Sequence, residues 1–386
     1  MPTKLERAIA WLAPRRPEME ALLAALVEVN SHTDNVAGVE ETAARFAEVL
    51  RGVAGLSVEL RAQPGGRYAR HLVARTKAEG APTILVGHLD TVFRPGTFEG
   101  YRSDGARAFG PGVLDMKGGL VVMAFALRAL EAAGALDRLP LVVVAVGDEE
   151  VGSPESQPLL RDLGRGAARG LVFESGREND LVVTRRKGTG AATVTAHGRA
   201  AHAGNAHREG KNAIWALARF VDAAQRLTDY PREVTVNVGR IEGGQGKNTV
   251  PDLATALVDF RFVRSADAEA TAEALHRAGE EAASSVQGTR VEVEAEIRRA
   301  AMERTDASGA LLQAYCACAR AAGLAAGEAP LSGGGSDGNT LASVGVPVID
   351  ALGPRGAGYH TKDEWIDLAS LVPKAEAVVR LLLGSD

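Results

Sequence analysis

The feature that most constrains this chain is a repeated one: strand-like apolar runs that lead directly into hard metal-ligand side chains. TILVG (83–87) runs into His88-Leu89-Asp90. LVVVAVG (141–147) leads to Asp148-Glu149-Glu150, and LVF (171–173) ends at Glu174. The loop GPGVLDMKGG (110–119) sets Asp115 just before a helix, and Gly358-Tyr359-His360 follows the strand VPVIDAL (346–352). In α/β sheets the carboxyl ends of strands converge on the ligand crevice, so these segments are predicted to meet. Mixed imidazole and carboxylate donors suit zinc, with manganese or cobalt as substitutes. Each residue alone has an ordinary explanation. His88 or His360 alone reads as a hydrogen-bonded structural histidine and Asp115 as a helix cap. The Glu149-Glu150 pair alone reads as a solvated loop, and Glu174 as a surface carboxylate. Their joint placement carries the argument.

The surrounding pattern is that of an α/β domain. Helical apolar spacing covers 18–30 and 38–51, and short strand-like runs follow at 57–62, 71–76 and 83–88. A helix is predicted over 117–133, then strands at 139–147 and 170–174. Continuous apolar strands alternating with helices imply a mixed sheet covered on both faces. From about residue 188 the order becomes strand 189–198, helix 211–226, strands 233–242 and 253–264, helix 266–284 and strand 290–297. That β-α-β-β-α-β succession is the ferredoxin-like signature of an α+β domain. Helix, loop, strand and a last helix at 367–383 then return to the first pattern. The expected organisation is a discontinuous catalytic domain, 1–187 and 299–386, with an inserted domain over 188–298. A length of 386 residues agrees with two domains.

Composition narrows the partners. Aromatic residues are 4% of the chain and the net charge is −5, both poor matches to a nucleic-acid surface. No run of about 18 apolar residues occurs, so no membrane span is expected. Cys316 and Cys318 lie two apart in a helix-like stretch and can neither bridge each other nor share a metal there. With no disulfide and no secretory signal evident in the N-terminal stretch, the expected compartment is the cytoplasm.

The motifs GHLDTV (87–92), GPGVLDMKGG (110–119), GDEEVGS (147–153), FES (173–175) and GYHTKDE (358–364) resemble those of a dinuclear zinc hydrolase family. Its members include glutamate carboxypeptidases, acetylornithine deacetylase and succinyl-diaminopimelate desuccinylase. AHGRAAHAGNAHREGKNAI (196–214) is similar to the family's dimerisation-domain motif. The resemblance implies a homodimer whose inserted domain is a dimerisation or lid domain. It also implies two divalent ions bridged by Asp115, one completed by His88 and Glu174, the other by Glu150 and His360. Asp90 is then the partner that orients His88, Glu149 the general base, and Asp115-Met116 a cis peptide. His202 is implied to reach the partner subunit's active site and help stabilise the oxyanion, and Asn248 to lie near the substrate.

Within the family, HLDTVFRPGTFEG (88–100), GGGSDGN (333–339) and ALGPRGAGYH (351–360) resemble the folate-hydrolysing glutamate carboxypeptidase branch of bacteria. Arg299 in RRAAM (298–302) is similar to the arginine that grips the substrate's terminal carboxylate, though Arg298 beside it is an alternative. Gly334 and Gly335 offer backbone N–H groups that can approach an anion, or form a plain turn. The implied activity is a zinc-dependent carboxypeptidase or amidohydrolase acting on a small N-acyl amino acid or peptide. A biosynthetic deacylase of the acetylornithine or desuccinylase kind is the alternative.

Overall fold

The computed structural model describes residues 1–62 and 65–384. The expected last segment, 299–386, therefore ends on two residues that lie outside the described ones. The chain forms two compact units. One holds Met1–Thr184, Arg304–Ser332 and Ser336–Asp386; the other holds Arg185–Glu303 and Gly333–Gly335. The sequence reading opens its last segment at Arg299, but that residue ends the strand Arg290–Arg299 of the second unit. Pairing simply continues past the expected boundary: after a bulge, Arg299 sits opposite Thr189.

The first unit is built on a six-stranded mixed sheet. Its strands lie in the order Ser57–Arg61, His71–Arg75, Leu141–Val146, Thr83–His88, Arg169–Val172 and Val348–Ile349. The last four run parallel, and the first two are antiparallel at one edge. Every residue of Thr83–His88 and Leu141–Val146 is buried, as continuous apolar strands require when both faces are covered. Leu72, Leu85, Val143 and Leu171 share one core with the helices Arg16–Val27, Val36–Arg51, Gly118–Ala132 and Leu371–Leu383. The helices Ser156–Gly164 and Asp337–Ala342 pack against each other, touching Leu141–Val146 and Arg169–Val172 respectively.

Register fixes where the strands end. His88 lies opposite Val146, and Val86 opposite Val172, so the turns after all three strands open on the same edge. Helix Gly118–Ala132 presses close to that edge. A Cβ on Gly119 would stand 2.0 Å from the Phe173 carbonyl oxygen, so only glycine fits there. Gly353 makes a similar approach, with a built Cβ 2.6 Å from the Glu174 carbonyl oxygen that accepts its N–H.

The second unit is a four-stranded antiparallel sheet in the order Thr235–Gly243, Leu253–Phe262, Gly188–His197 and Arg290–Arg299. Together with helices Ala213–Gln225 and Ser265–Ser285 it has the ferredoxin-like order. Alternate residues such as Val194, Val258 and Phe260 face a core shared with Leu217, Phe220 and Leu275. Among the described residues, no helix is long and apolar enough to cross a membrane. Cys316 and Cys318 are free thiols on helix Asp306–Ala321.

Candidate metal centre

His88 is the last residue of a central parallel strand and is buried. Its Nδ1 lies 2.9 Å from the backbone carbonyl of Asp90. A carbonyl can only accept, so Nδ1 carries the proton and Nε2 faces the acidic cluster. Nε2 is 3.3 Å from Asp115 Oδ1 and 3.7 Å from Glu174 Oε1. Asp115 sits in a turn, Val113–Lys117, whose backbone leaves helical geometry at Asp115 and Met116. The peptide bond between them is cis. The second oxygen of the same carboxylate, Oδ2, is 3.2 Å from His360 Nε2. His360 Nε2 is also 3.3 Å from Glu150 Oε2.

Two donor groups result. His88, Asp115 and Glu150 offer ligand atoms within 4.8 Å of one another, and so do His88, Glu149 and Glu174. Glu149 and Glu150 share the short turn Glu149–Val151 and direct their carboxylates to different members of the cluster.

The electrostatics of this packing are severe. Burial pushes Glu150 up to about 8 and Glu174 up to about 7. Burial acts the same way on Asp115, but hydrogen bonds from His360 and His88 hold its carboxyl well below the usual range. Hydrogen bonds to Asp115 and Glu150 hold His360 up to about 10. Burial alone would lower His88, yet Glu174, Asp115 and Asp90 keep it well above its ordinary value. The carboxylates and imidazoles are thus strongly coupled: burial pushes Glu150 and Glu174 up, while the two imidazoles pull Asp115 down.

The supporting contacts differ from the expected ones at one point. The Asp90 carboxylate stands 3.5 Å from His88 Nδ1, while its own backbone carbonyl takes the imidazole hydrogen bond. The carboxylate instead accepts from the backbone N–H of Glu149 at 3.2 Å and of Glu150 at 3.1 Å, and from Thr33 Oγ1 at 2.7 Å. It holds the turn that carries both glutamates. Sequence reasoning missed Thr33, and it missed Glu364. The buried Glu364 carboxylate accepts from the N–H groups of Gly112, Leu114 and Asp115. Burial raises Glu364 to about 7. The only sequence signal was its place in GYHTKDE, beside a residue already of interest.

The remaining predicted residues belong to the second unit. His202, exposed, pairs opposite Thr249, and its Nδ1 accepts from the N–H groups of Gly204 and Asn205. The Asn248 carbonyl accepts from Ala203 N, which keeps these two residues neighbours. Arg298 is exposed and paired with Glu296, whereas Arg299 is only 5% exposed. Of the two arginines, the buried one is Arg299. A Cβ on Gly335 would stand 2.7 Å from its Cδ, and Arg186, also buried, donates to the Gly334 carbonyl at 3.2 Å. Asp337, back in the first unit, is buried and accepts from Ser153 Oγ.

Comparison with known proteins identifies the family. The sequence pattern of Peptidase family M20/M25/M40 matches residues 84–384. Carboxypeptidase G2 of Pseudomonas sp. (strain RS-16) is 28% identical over 373 residues, covering 95% of this chain and 89% of that protein. Succinyl-diaminopimelate desuccinylase of Methylobacterium sp. (strain 4-46) is 27% identical over 400 residues, covering 96% and 97%. The crystal structure of aminopeptidase PepT from Bacillus cereus superposes with a TM-score of 0.79 at 24% identity, covering 95% of this chain and 98% of that one. A match running from the strand that carries His88 to the C-terminal helix leaves one assignment: the chain belongs to peptidase family M20/M25/M40.

Proposed function

We propose that the protein is a metal-dependent carboxypeptidase or amidohydrolase that releases a C-terminal amino acid, with glutamate the first to test, from an N-acyl amino acid or peptide. The observation that carries this reading is a single buried carboxylate, Asp115, whose two oxygens face His88 and His360, with Glu149, Glu150 and Glu174 close around them. The donors fit divalent cations. Carboxylates and imidazoles are packed within hydrogen-bonding range, and Glu150 Oε1 is buried without a hydrogen-bond partner among the described residues. His88, Asp115 and Glu174 would hold one ion and Asp115, Glu150 and His360 the other. Zinc suits these donors, with manganese or cobalt as substitutes. Such ions, when bound, supply Lewis acidity toward an amide carbonyl and lower the pKa of water.

The chain's own residues do the rest. Glu149 takes a proton from the attacking water and returns it to the leaving amide nitrogen, so that the C–N bond breaks to a carboxylic acid and an amine. Asp90 keeps Glu149 in place through its backbone N–H. Arg299 holds the α-carboxylate of the substrate in a two-point hydrogen-bonded pair, with Gly334 and Gly335 beside it. In the homodimer that forms part of this proposal, His202 and Asn248 act on substrate bound by the other protomer. Support for assembly comes from the edge strand Thr235–Gly243, where Ile241 and the nearby Ile214 and Trp215 are exposed.

Four outcomes test this reading. Glu149→Gln should keep both metals yet lose at least roughly 10²–10⁴-fold in turnover, measured by elemental analysis and by released amino acid over a panel of N-acyl substrates. Metal lost from that variant would mean that Glu149 is a ligand instead. A panel that favours succinyl-diaminopimelate or N-acetylornithine over N-acyl-glutamate would move the function to the deacylase reading, which the desuccinylase relative favours.

Metal uptake by chelator-stripped protein should strengthen as pH rises from about 6 to 9. Glu174, raised to about 7, and Glu150, raised to about 8, give up their protons within that range, while His360, raised to about 10, keeps most of its own, and ligation must remove whichever protons remain. Each proton displaced adds up to roughly tenfold in affinity per pH unit. A flat pH profile in calorimetric titrations would contradict the cluster as described.

Arg299→Ala should weaken kcat/KM for substrates with a free C-terminal carboxylate by about 2–4 kcal/mol. The matching C-terminal amides should be poor substrates for both enzymes, and equal losses on both would make the arginine structural. Finally, His202→Ala alone should be inactive while still dimeric and metal-loaded. Mixing it with Glu149→Gln under conditions of measured subunit exchange should restore part of the activity; full activity of His202→Ala would remove it from catalysis.

A further inference from the structure

We infer that Glu364 is a positioning residue, a tether that joins the turn carrying Asp115 to the loop carrying His360 so that both are set as one piece. The inference rests on the metal reading above, and it concerns a residue to which that reading gives no role. The Glu364 side chain is fully buried. Its Oε1 accepts from Leu114 N at 2.8 Å and Asp115 N at 2.9 Å, and its Oε2 from Gly112 N at 3.1 Å. These N–H groups belong to a turn that leaves helical geometry at Asp115, so a regular backbone ladder is not there to take them. Gly112 turns its N–H toward Glu364 from a left-handed conformation, φ 78°.

The other end of the tether is covalent and short. Glu364 follows His360 by four residues, in a loop closed by Thr361 N to Gly358 O and Glu364 N to Thr361 O. The loop is tight: Gly358 has φ 80°, and a Cβ there would stand 2.5 Å from the Asp363 carbonyl oxygen. Strand Trp365–Asp367 then pairs with Arg107–Phe109, just upstream of the Asp115 turn. Any shift of the carboxylate therefore moves Asp115 and His360 together, and with them the 3.2 Å approach of His360 to Asp115 Oδ2. Glutamine has the same shape but cannot replace glutamate here. One of its two terminal groups is an NH₂ donor, which would face a backbone donor at one end of the cradle.

The test is zinc binding by metal-stripped wild type, Glu364→Gln and Glu364→Asp, titrated against a chromophoric chelator, with thermal melts of the metal-free proteins alongside. Supporting contacts of metal ligands typically govern about 10–100-fold in affinity. Glu364→Gln should lose that much for zinc, and Glu364→Asp, which keeps the charge and acceptors, should recover part of it. The cobalt-loaded Glu364→Gln protein should also show a shifted visible spectrum. Unchanged zinc affinity in Glu364→Gln overturns the tether, whether or not its metal-free melting temperature falls. If Glu364→Gln does not fold, Glu364→Asp decides, and wild-type affinity in it overturns the proposal. A wild type that takes up no zinc sinks the metal reading itself, whereas two ions bound equally by wild type and variants sink the tether alone.

Discussion

One carboxylate lies between two imidazoles, and the rest of the first unit is arranged to keep it there. Asp115 offers one oxygen to His88 and the other to His360, residues that reach it from a central strand and from a loop 245 positions further along the sequence than itself. Burial opposes charge at this place, as the raised values of Glu150 and Glu174 show. Such a cluster persists only where the backbone is held by other means. Here the means are backbone N–H groups bound by buried carboxylates: Asp90 under the Glu149–Glu150 turn, Glu364 under the Asp115 turn.

The ligand-type residues were legible because their signal is local. Each stands where an apolar run stops, and a parallel sheet sends such ends to one edge. The contacts that hold them were not legible. Thr33 and Asp90 are 57 residues apart, and Glu364 meets Leu114 across 250 residues. Their partners are hydroxyls and peptide groups, and peptide groups are the same at every position, so no residue pattern marks them. Asp90 shows the limit from the other side. The family resemblance implies that Asp90 orients His88, but the acceptor nearest the imidazole is the Asp90 backbone carbonyl, not its carboxylate.

Secondary structure followed the same division. Long periodic elements such as Gly118–Ala132 and Ser265–Ser285 agree with their sequence expectation to within a residue or two at each end. Short ones do not announce themselves. Asp337–Ala342 is a six-residue helix after three glycines, started by a Ser336–Asn339 capping box that composition alone reads as loop. Ser156–Gly164 contains a proline, ends in a glycine, and is only nine residues long, too short for its apolar spacing to stand out. The boundary near Arg299 moved for a different reason. A bulged strand goes on pairing until its partner runs out, and the partner here reaches Thr189.

Behind Glu174, helix and loop approach so closely that Gly119 and Gly353 leave no room for a Cβ. That wall has no rotamers. At these two contacts the segment that carries Glu174 is backed by glycine, which has no side-chain freedom to lose if the segment tightens on a ligand, where each ordered, rotamer-rich side chain would oppose binding by about 0.5–1.5 kcal/mol. The absence of two methyl groups is therefore an entropic property of the site as much as a steric one.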